Sequence, residues 1–209
     1  MIVKNHLIIF SKTPRYSIVK KRLAKDIGNI EALRFYANSL RKNLRNLGQD
    51  PRWGTWLALS SKRDKIRKDK FWGCKFFFQG HGDIGNKMKN CINTVPGGNT
   101  ILIGGDIPNI GRETISNAFK KLEFYDLVFG PSFDGGFWLV GVKGDLNLRR
   151  RNTFNIFNSV RWSSKFTLDD TMKNIRNKKV YLLNYKSDID TIDDLNTNQF
   201  KNFQYNRAA

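Results

Sequence analysis

The sequence is poor in the residues that bind transition metals and form cross-links. It contains two cysteines and two histidines among 209 residues, which is too few for a disulfide framework. These four side chains, Cys74, Cys91, His6 and His81, do not follow the spacing of a usual zinc site. We therefore expect neither a stabilising disulfide nor a zinc centre.

Long apolar runs are also missing. The N-terminal stretch MIVKNHLIIF is short and is interrupted by Lys4, Asn5 and His6, which does not fit a signal peptide. No run approaches the ~20 apolar residues that a membrane span requires. We expect a soluble, cytoplasmic protein with no membrane span.

Acidic residues are scarce, at 18 Asp+Glu against 37 Lys+Arg, and the formal net charge is +19. Such a charge favours binding to polyanions, including nucleic acid, an acidic membrane surface or a phosphorylated substrate. A general bias in composition explains it equally well, because the positive charge is spread along the whole chain and Asn and Ile abound with Lys. The charge alone does not decide between these explanations.

Short apolar runs alternate with segments of helical periodicity. The pattern predicts strands at 2–10, 53–60, 74–79, 100–104, 126–131, 137–142 and 180–184, and helices at 29–47, from the glycine-rich stretch to about 93, at 112–122, at 163–177 and after Asp190. Residues 62–70 form a charged, solvated stretch. This alternation indicates one α/β domain over residues 1–209, an α/β/α sandwich with a mostly parallel central sheet.

Ligands of such sheets bind beyond the carboxyl ends of the strands, so the loops there are the first candidates for a site. The loop after the first strand reads SKTPRYSIVKKRL and offers Lys12, Lys20 and Arg22 to a pyrophosphate. It is neither a GxxxxGK[ST] P-loop nor a GxGxxG fingerprint. A basic loop in so basic a chain is also compatible with no ligand at all.

The loop after the third strand, QGHGDIGNKM, is rich in glycine. Gly82 and Gly85 allow a ligand to approach the main chain closely, and Asp83 either contacts that ligand or caps the following helix. We assign these three residues to a nucleotide site. Its remaining predicted members are Phe10 and Ser11 at the end of the first strand, and Gly105 after the fourth.

The few acidic residues cluster at the ends of the predicted strands. Asp106 follows ILIGG, Asp134 lies in the turn SFDGG, and Asp188 and Asp190 are two residues apart near the C-terminus. This pattern fits a hard cation such as Mg²⁺, or Mn²⁺, that neutralises a phosphate-rich ligand. Two of the carboxylates have structural alternatives, because Asp-Gly is a favoured turn pair and Asp190 can cap a helix.

These motifs resemble, in the same order, those of the bacterial DUF2064 family. The matching blocks are LIIFSKTPRYSIVKKRL, QGHGDIGNKM, ILIGGDIPNI, LVFGPSFDGGFWLVGV, VRWSS with TLDDTM, and DIDTIDDL. The family is glycosyltransferase-A-like, is described in some lineages as an arsenosugar-biosynthesis glycosyltransferase, and lies in the nucleotide-diphospho-sugar transferase superfamily. The resemblance implies a GT-A fold and a divalent metal near Asp106, with Asp188 and Asp190 helping to hold it.

The basic loop departs from the pattern of this family, which usually reads PGRVKTRL. Tyr16 and Ser17 stand where proline and glycine are typical, and Lys21 replaces threonine, whereas Lys20 and Arg22 are kept. The geometry of the loop, and with it the preferred nucleotide, is expected to differ accordingly.

Three functional hypotheses follow. The leading one is a metal-dependent transferase that moves a sugar from a sugar nucleotide to a small acceptor, with Lys20 and Arg22 on the phosphates and Asp134 on the acceptor. The second is a nucleotidylyltransferase that uses a nucleoside triphosphate and a phosphorylated small molecule. The third, a nucleic-acid-binding protein that stacks bases on Phe71, Trp72 and residues 76–78, is disfavoured because these aromatics have the pattern of a buried strand.

Overall fold

The computed structural model describes residues 5–14, 20–60, 74–108, 110–144 and 156–186. In chain order its elements are β1 (His6–Ser11), α1 (Lys21–Ile27), α2 (Asn29–Leu47), β2 (Gly54–Leu59), β3 (Lys75–Phe78), α3 (Ile84–Thr94), β4 (Thr100–Gly104), α4 (Arg112–Phe124), β5 (Leu127–Pro131), β6 (Phe137–Val142), α5 (Thr167–Lys173) and β7 (Val180–Leu182). Among the described helices, none combines the length and apolar character of a membrane span.

The seven strands of this part of the chain form one sheet in the order β3-β2-β1-β4-β6-β5-β7. Neighbouring strands are parallel except where β6 pairs with β4 and β5, to which it is antiparallel. The prediction of a mostly parallel sheet is therefore confirmed. Because β6 runs the opposite way, its first residues lie at the edge where the parallel strands end.

Helices cover both faces of the sheet. On one face α2 and α4 pack on inward side chains of β1, β2 and β4, in a cluster that includes Leu44, Leu122 and Ile103. On the other face α3 and α5 pack on the alternate side chains of the same strands, in a cluster that includes Met88 and Ile8. The period of two along each strand puts successive residues on opposite faces, which produces the three-layer α/β/α sandwich that the sequence predicts.

The boundaries of most elements agree with the sequence pattern, and the exceptions have local causes. Residues 21–27 form a helix, whereas the sequence predicted residues 21 and 22 in the basic loop. The helix was missed because Leu23 is its one buried residue, so the segment shows no apolar periodicity. The helix predicted at 163–177 is confined to Thr167–Lys173. Its first residues instead form a turn in which Ser164 and Thr167 donate side-chain hydrogen bonds to the carbonyl of Arg161.

Three predicted features lie outside the described residues, namely the charged stretch at 62–70, the aromatic pair Phe71 and Trp72, and the helix after Asp190. The aromatic run at 76–78 belongs to the edge strand β3, where Phe77 and Phe78 are half-buried against the two cores. Phe76 is 36% exposed. This placement agrees with the assignment of the run to a strand.

Candidate functional site

A cleft of about 530 Å³ lies over the carboxyl ends of β1 and β4. From β1 the chain crosses to β2 and β3 on one side, whereas β4 pairs with the opposite side of β1. This reversal of direction leaves a gap between the connections above the sheet, which is where open α/β sheets bind their ligands. The described residues that line the cleft include Phe10, Ser60, Gln79, Gly104 and Phe137.

The lining is strongly cationic. Five basic side chains reach it, Lys12, Lys20, Lys21 and Arg22 from the basic loop and α1, and Lys87 from α3. Asp106 is the acidic residue among the lining side chains. Charges of one sign gathered in a concave, partly apolar site attract anions, and their number suits a ligand with more than one phosphate.

Lys20 and Asp106 both line this cleft and form an ion pair. Lys20 Nζ lies 2.8 Å from Asp106 Oδ2, and the two side chains are 3% and 33% exposed. The main chain of Lys20 is left-handed, at φ 49° and ψ 50°, which costs a residue with a Cβ about 1–2 kcal/mol. The buried ammonium of Lys20 is thus paired with the Asp106 carboxylate, which is partly exposed in the cleft.

The turn that carries Asp106 is anchored on both sides. Asn43 of α2 donates its side-chain amide to the carbonyls of Ile107 (2.8 Å) and Gly105 (3.4 Å). On the other side, the Gly105 amide donates to the carbonyl of Phe10 at 2.9 Å. A Cβ on Gly105 would lie 3.0 Å from the Ser11 Cβ, so a larger residue would push the turn away from β1. These contacts fix the main chain that positions Asp106.

Tyr36 ties α2 to the start of the basic loop. Its hydroxyl lies 2.8 Å from Ser11 Oγ, accepts from the Lys12 amide at 2.9 Å and donates to the Lys12 carbonyl at 3.1 Å. Burial, and secondarily the negative charge of Asp106, raises the pKa of Tyr36 to about 12. The phenol therefore stays neutral and keeps its donor at physiological pH.

Gln79 ends β3 inside the cleft. Its Nε2 atom donates to the main-chain carbonyls of Ser11 (2.9 Å) and Ala58 (3.0 Å), and the residue is 3% exposed. Both donors of the amide are therefore committed to the ends of β1 and β2. The carbonyl oxygen remains as a fixed acceptor at the cleft.

The described residues could hold a Mg²⁺ ion only together with oxygens from a ligand. No group of three or more His, Cys, Asp or Glu side chains is gathered in this part of the chain, so a metal held by protein ligands alone does not fit there. Mg²⁺ commonly binds through one or two carboxylates together with substrate phosphates and water. Asp106 meets that requirement, since its carboxylate is partly exposed in a cleft that is lined with basic side chains.

The structure brings together only part of the predicted site. Phe10, Lys12, Lys20, Arg22 and Asp106 all line the cleft. Gly105 and Ser11 are not among the lining residues, but Gly105 bonds to the carbonyl of Phe10 and Ser11 to the hydroxyl of Tyr36, both of which line the cleft. Asp188 and Asp190 lie outside the described residues.

The glycine-rich loop has structural roles away from the lining described above. Asp83 caps α3 by accepting from the Asn86 amide at 2.7 Å. Gly82 has φ 101°, a conformation that favours glycine. A Cβ on Gly85 would lie 2.6 Å from the Trp162 ring, so this glycine permits close packing of α3 against Trp162. The assignment of these three residues to a nucleotide site stays a prediction.

Asp134 is exposed and lies in the turn between β5 and β6. Its Oδ1 accepts from the Gly136 amide at 2.9 Å, which is the turn contact that an Asp-Gly pair commonly makes. It is not among the residues that line the cleft. Its role towards an acceptor also stays a prediction.

Several lining residues were missed by the sequence analysis, including Tyr36, Gln79, Lys87 and Trp138. Gln79 was detectable, because it directly follows the apolar run of β3 at the edge where ligands bind. Trp138 was not, because its position depends on β6 running antiparallel. Tyr36 lies on the buried stripe of α2, where an aromatic side chain normally indicates core.

The fold and the comparisons with known proteins identify the chain as nucleotide-diphospho-sugar transferase-like, with a GT-A-like fold. The family model described as "Uncharacterized protein conserved in bacteria (DUF2064)" matches residues 43–164. The chain therefore belongs to the DUF2064 family. None of the curated proteins compared with the chain matches it.

Solved structures agree with this placement. A candidate nucleotide-diphospho-sugar transferase from Desulfovibrio desulfuricans G20 superimposes with a TM-score of 0.83 at 26% identity, covering 99% of this chain and 91% of that one. The 4-diphosphocytidyl-2C-methyl-D-erythritol synthase of Anaerococcus prevotii DSM 20548 gives 0.63 at 10% identity, covering 92% and 93%.

A third structure, glucosyl-3-phosphoglycerate synthase from Mycobacterium tuberculosis in complex with Mn²⁺, UDP and glucosyl-3-phosphoglycerate, gives a TM-score of 0.56 at 6% identity, covering 89% of this chain and 71% of that one. At 10% and 6% identity the last two are likenesses of fold.

Proposed function

We propose that this protein is a metal-dependent transferase that binds a nucleotide-activated donor in the cleft and moves a sugar from it to a small acceptor. The observation that carries the proposal is the Lys20–Asp106 pair, set among four further cations above the β1–β4 gap. A diphosphate needs several cations, and a diphosphate leaving group needs its developing charge neutralised. The basic side chains of the cleft would supply the cations, and Asp106 would hold a metal ion that neutralises the leaving group.

The cations have separate tasks in this proposal. Lys20 contacts the phosphates nearest Asp106, and Arg22 offers a planar fork to two phosphate oxygens. Lys12, directly after β1, and Lys87 of α3 add two further cations to the lining of the cleft. Asp106 would hold Mg²⁺ or Mn²⁺, which supplies charge neutralisation on the leaving diphosphate.

The base end of the donor is assigned to Gln79 and Phe10. The carbonyl oxygen of Gln79 accepts a hydrogen bond from a base N–H, since its amide nitrogen is committed to two main-chain carbonyls. Phe10 lines the same cleft and offers an aromatic surface. Every common nucleobase carries an N–H donor, so these contacts support nucleotide binding without selecting one base.

The acceptor is assigned to the hairpin turn between β5 and β6. Asp134 is exposed there, next to Phe133, which is 74% exposed and lies 5.1 Å from the ring of Tyr185. An exposed carboxylate beside two aromatic rings suits a polyhydroxylated acceptor, whose hydroxyls donate to the carboxylate while its C–H face lies on the rings. In this role Asp134 takes the proton from the attacking hydroxyl.

Nucleotidylyl transfer is the second candidate, because a cleft with five basic side chains also suits a triphosphate and the fold is shared with a cytidylyl-transferring synthase. The products separate the two reactions. Sugar transfer releases a nucleoside diphosphate, whereas nucleotidylyl transfer from a nucleoside triphosphate releases pyrophosphate.

The test of the proposal is a thermal-unfolding panel of sugar nucleotides, nucleoside diphosphates and nucleoside triphosphates, with and without Mg²⁺. A ligand at 100 times its dissociation constant stabilises the fold by about 2.7 kcal/mol, so the correct class raises the melting temperature clearly. Asp106→Asn, compared with its own ligand-free melting temperature, should lose the Mg²⁺-dependent part of that shift. The proposal fails if no nucleotide stabilises the wild-type protein under any of these conditions.

A further inference from the structure

Ile84 is a large apolar side chain that is exposed inside the cleft. It is the first residue of α3, it is 41% exposed, and it belongs to the lining. Lys87 and Met88 follow it by three and four residues, which places them on the same face of the helix, and both line the cleft as well. The face of α3 at the cleft therefore presents a cation next to two apolar side chains.

The first turn of α3 is held beside the start of β6. A Cβ on Gly85, the residue after Ile84, would lie 2.6 Å from the Trp162 ring. The centroid of that ring lies 6.4 Å from the centroid of the Phe137 ring, and Phe137 also lines the cleft. One indole thus packs against both elements, and each of them contributes an apolar side chain to the lining.

The strand order separates these two side chains from the base end of the proposed donor. Gln79 follows β3, at one edge of the sheet, whereas Phe137 opens β6, on the other side of β1 and β4. Asp106 follows β4 and so lies between them in this order. A donor whose base contacts Gln79 and whose diphosphate lies at Asp106 therefore extends its remaining part, the transferred sugar, towards Phe137.

Lys87 relates the phosphates to Ile84. The two residues are separated by about 4.5 Å along the helix axis, so the group attached to a phosphate at Lys87 lies next to Ile84. An isoleucine makes no hydrogen bond, and it gains from ligand carbon that excludes water from it. We propose that Ile84 is a specificity-determining residue that packs, together with Phe137, on the carbon-bound hydrogens of the transferred sugar. The inference rests on the proposed function, since it takes the ligand to be a sugar nucleotide.

The experiment compares ligands with and without that sugar. Isothermal titration calorimetry with Mg²⁺ measures the affinity of the full chain for four pairs: UDP and UDP-glucose, GDP and GDP-mannose, ADP and ADP-glucose, and CDP and CDP-glucose. Ile84→Ser should weaken binding of the sugar nucleotide by about fivefold or more, and it should change binding of the matching nucleoside diphosphate by less than about twofold. Ile84→Leu keeps the apolar surface and should retain both affinities.

Ile30→Ser is the matched control. Ile30 lies in the first turn of α2, is 56% exposed, and is not among the residues that line the cleft. Its replacement should leave both affinities unchanged. Circular dichroism and ligand-free thermal unfolding of each variant establish that it is folded.

Three results would overturn the inference. Ile84→Ser could weaken both members of a pair equally, which would place the side chain on the nucleoside. It could weaken neither of them, or Ile30→Ser could have the same selective effect.

Failure of this inference is distinguishable from failure of the proposed function. If the wild-type protein binds a sugar nucleotide and Ile84→Ser has no selective effect on it, Ile84 does not contact the sugar and the donor site stands. If the wild-type protein binds no sugar nucleotide, the proposed donor is wrong, and the inference is overturned with it.

Discussion

At the scale of single residues, Asp170 is a carboxylate outside the cleft that is fixed by several hydrogen bonds. Its carboxylate accepts from Arg161 Nε (2.7 Å) and Nη2 (2.9 Å), and Lys173 Nζ lies 3.2 Å from Oδ1. The hydrogen bonds from Arg161 are the largest cause that holds the pKa of Asp170 below its ordinary value of 3.8. The pair fixes the segment that carries Trp162 beside α3.

This pKa predicts how stability depends on pH. A carboxyl group whose pKa is lowered by folding stabilises the folded state above its ordinary pKa, and that contribution is lost as pH falls towards the lowered value. The free energy of unfolding should therefore differ between wild type and Asp170→Asn by a constant amount above about pH 5, and the difference should shrink below about pH 4. Urea unfolding at several pH values measures it.

The neighbouring Asp169 provides the control. It is exposed and lies in the same helical turn, so Asp169→Asn removes an equal charge without breaking the bonds to Arg161. Its effect on unfolding should be small at every pH. A difference for Asp170→Asn that does not change between pH 7 and pH 3 would contradict the role assigned to its charge.

Asp134 permits a second test at the scale of one residue. Asp134→Asn keeps an oxygen that accepts from the Gly136 amide, so the turn survives and only the charge and the proton acceptor are lost. Nucleotide affinity should be unchanged, whereas turnover should fall by about 10²-fold or more, the usual contribution of a general base. Release of nucleoside diphosphate measures turnover. Normal turnover would leave Asp134 with a structural role alone.

At the scale of elements, α3 shows why a glycine in a motif need not serve a ligand. A Cβ on Gly85 would lie 2.6 Å from the Trp162 ring and 2.9 Å from the Phe157 Cβ, and that ring also contacts Phe137 and Phe157. The helix is thus packed directly on an aromatic cluster that has little room to move. This packing brings the first turn of α3, including Ile84, to the cleft.

Gly85→Ala should therefore destabilise the protein. Alanine is favoured over glycine in a helix by about 1 kcal/mol, whereas overpacking costs about 1–3 kcal/mol, so a modest net loss is expected. Gly97→Ala, with no atom within 4 Å of the added Cβ, should have little effect on chemical unfolding. Reduced nucleotide affinity with unchanged stability would instead place Gly85 in the ligand site.

The elements also show what the sequence can and cannot predict. Helix α2 and strands β4 and β6 match their predicted bounds, because each has an unbroken apolar pattern of the right period. The basic loop and the Asp106 turn were predicted as site-forming because they follow buried strands. The ion pair between Lys20 and Asp106 was not predicted, since no sequence pattern around Lys20 indicates its left-handed conformation.

At the scale of the whole molecule, part of the high positive charge is concentrated in the cleft. The net charge is +19, and the described lining of the cleft contains five basic side chains and one acidic side chain. The sequence predicted the class of fold from the alternation of strands and helices. It did not predict the strand order, which depends on long-range pairing that no local pattern specifies.

The turn between β5 and β6 differs from the loops at the cleft in how it can change during evolution. The loop after β4 leads into α4, which packs on the sheet, so a longer loop there would disturb the core. The turn between β5 and β6 joins two adjacent strands, and its tip at Phe133 and Asp134 is exposed. Insertions are tolerated best at such tips. Under the proposed function, lengthening this one hairpin would change the acceptor preference, while the proposed nucleotide site at the ends of β1 and β4 would stay as it is.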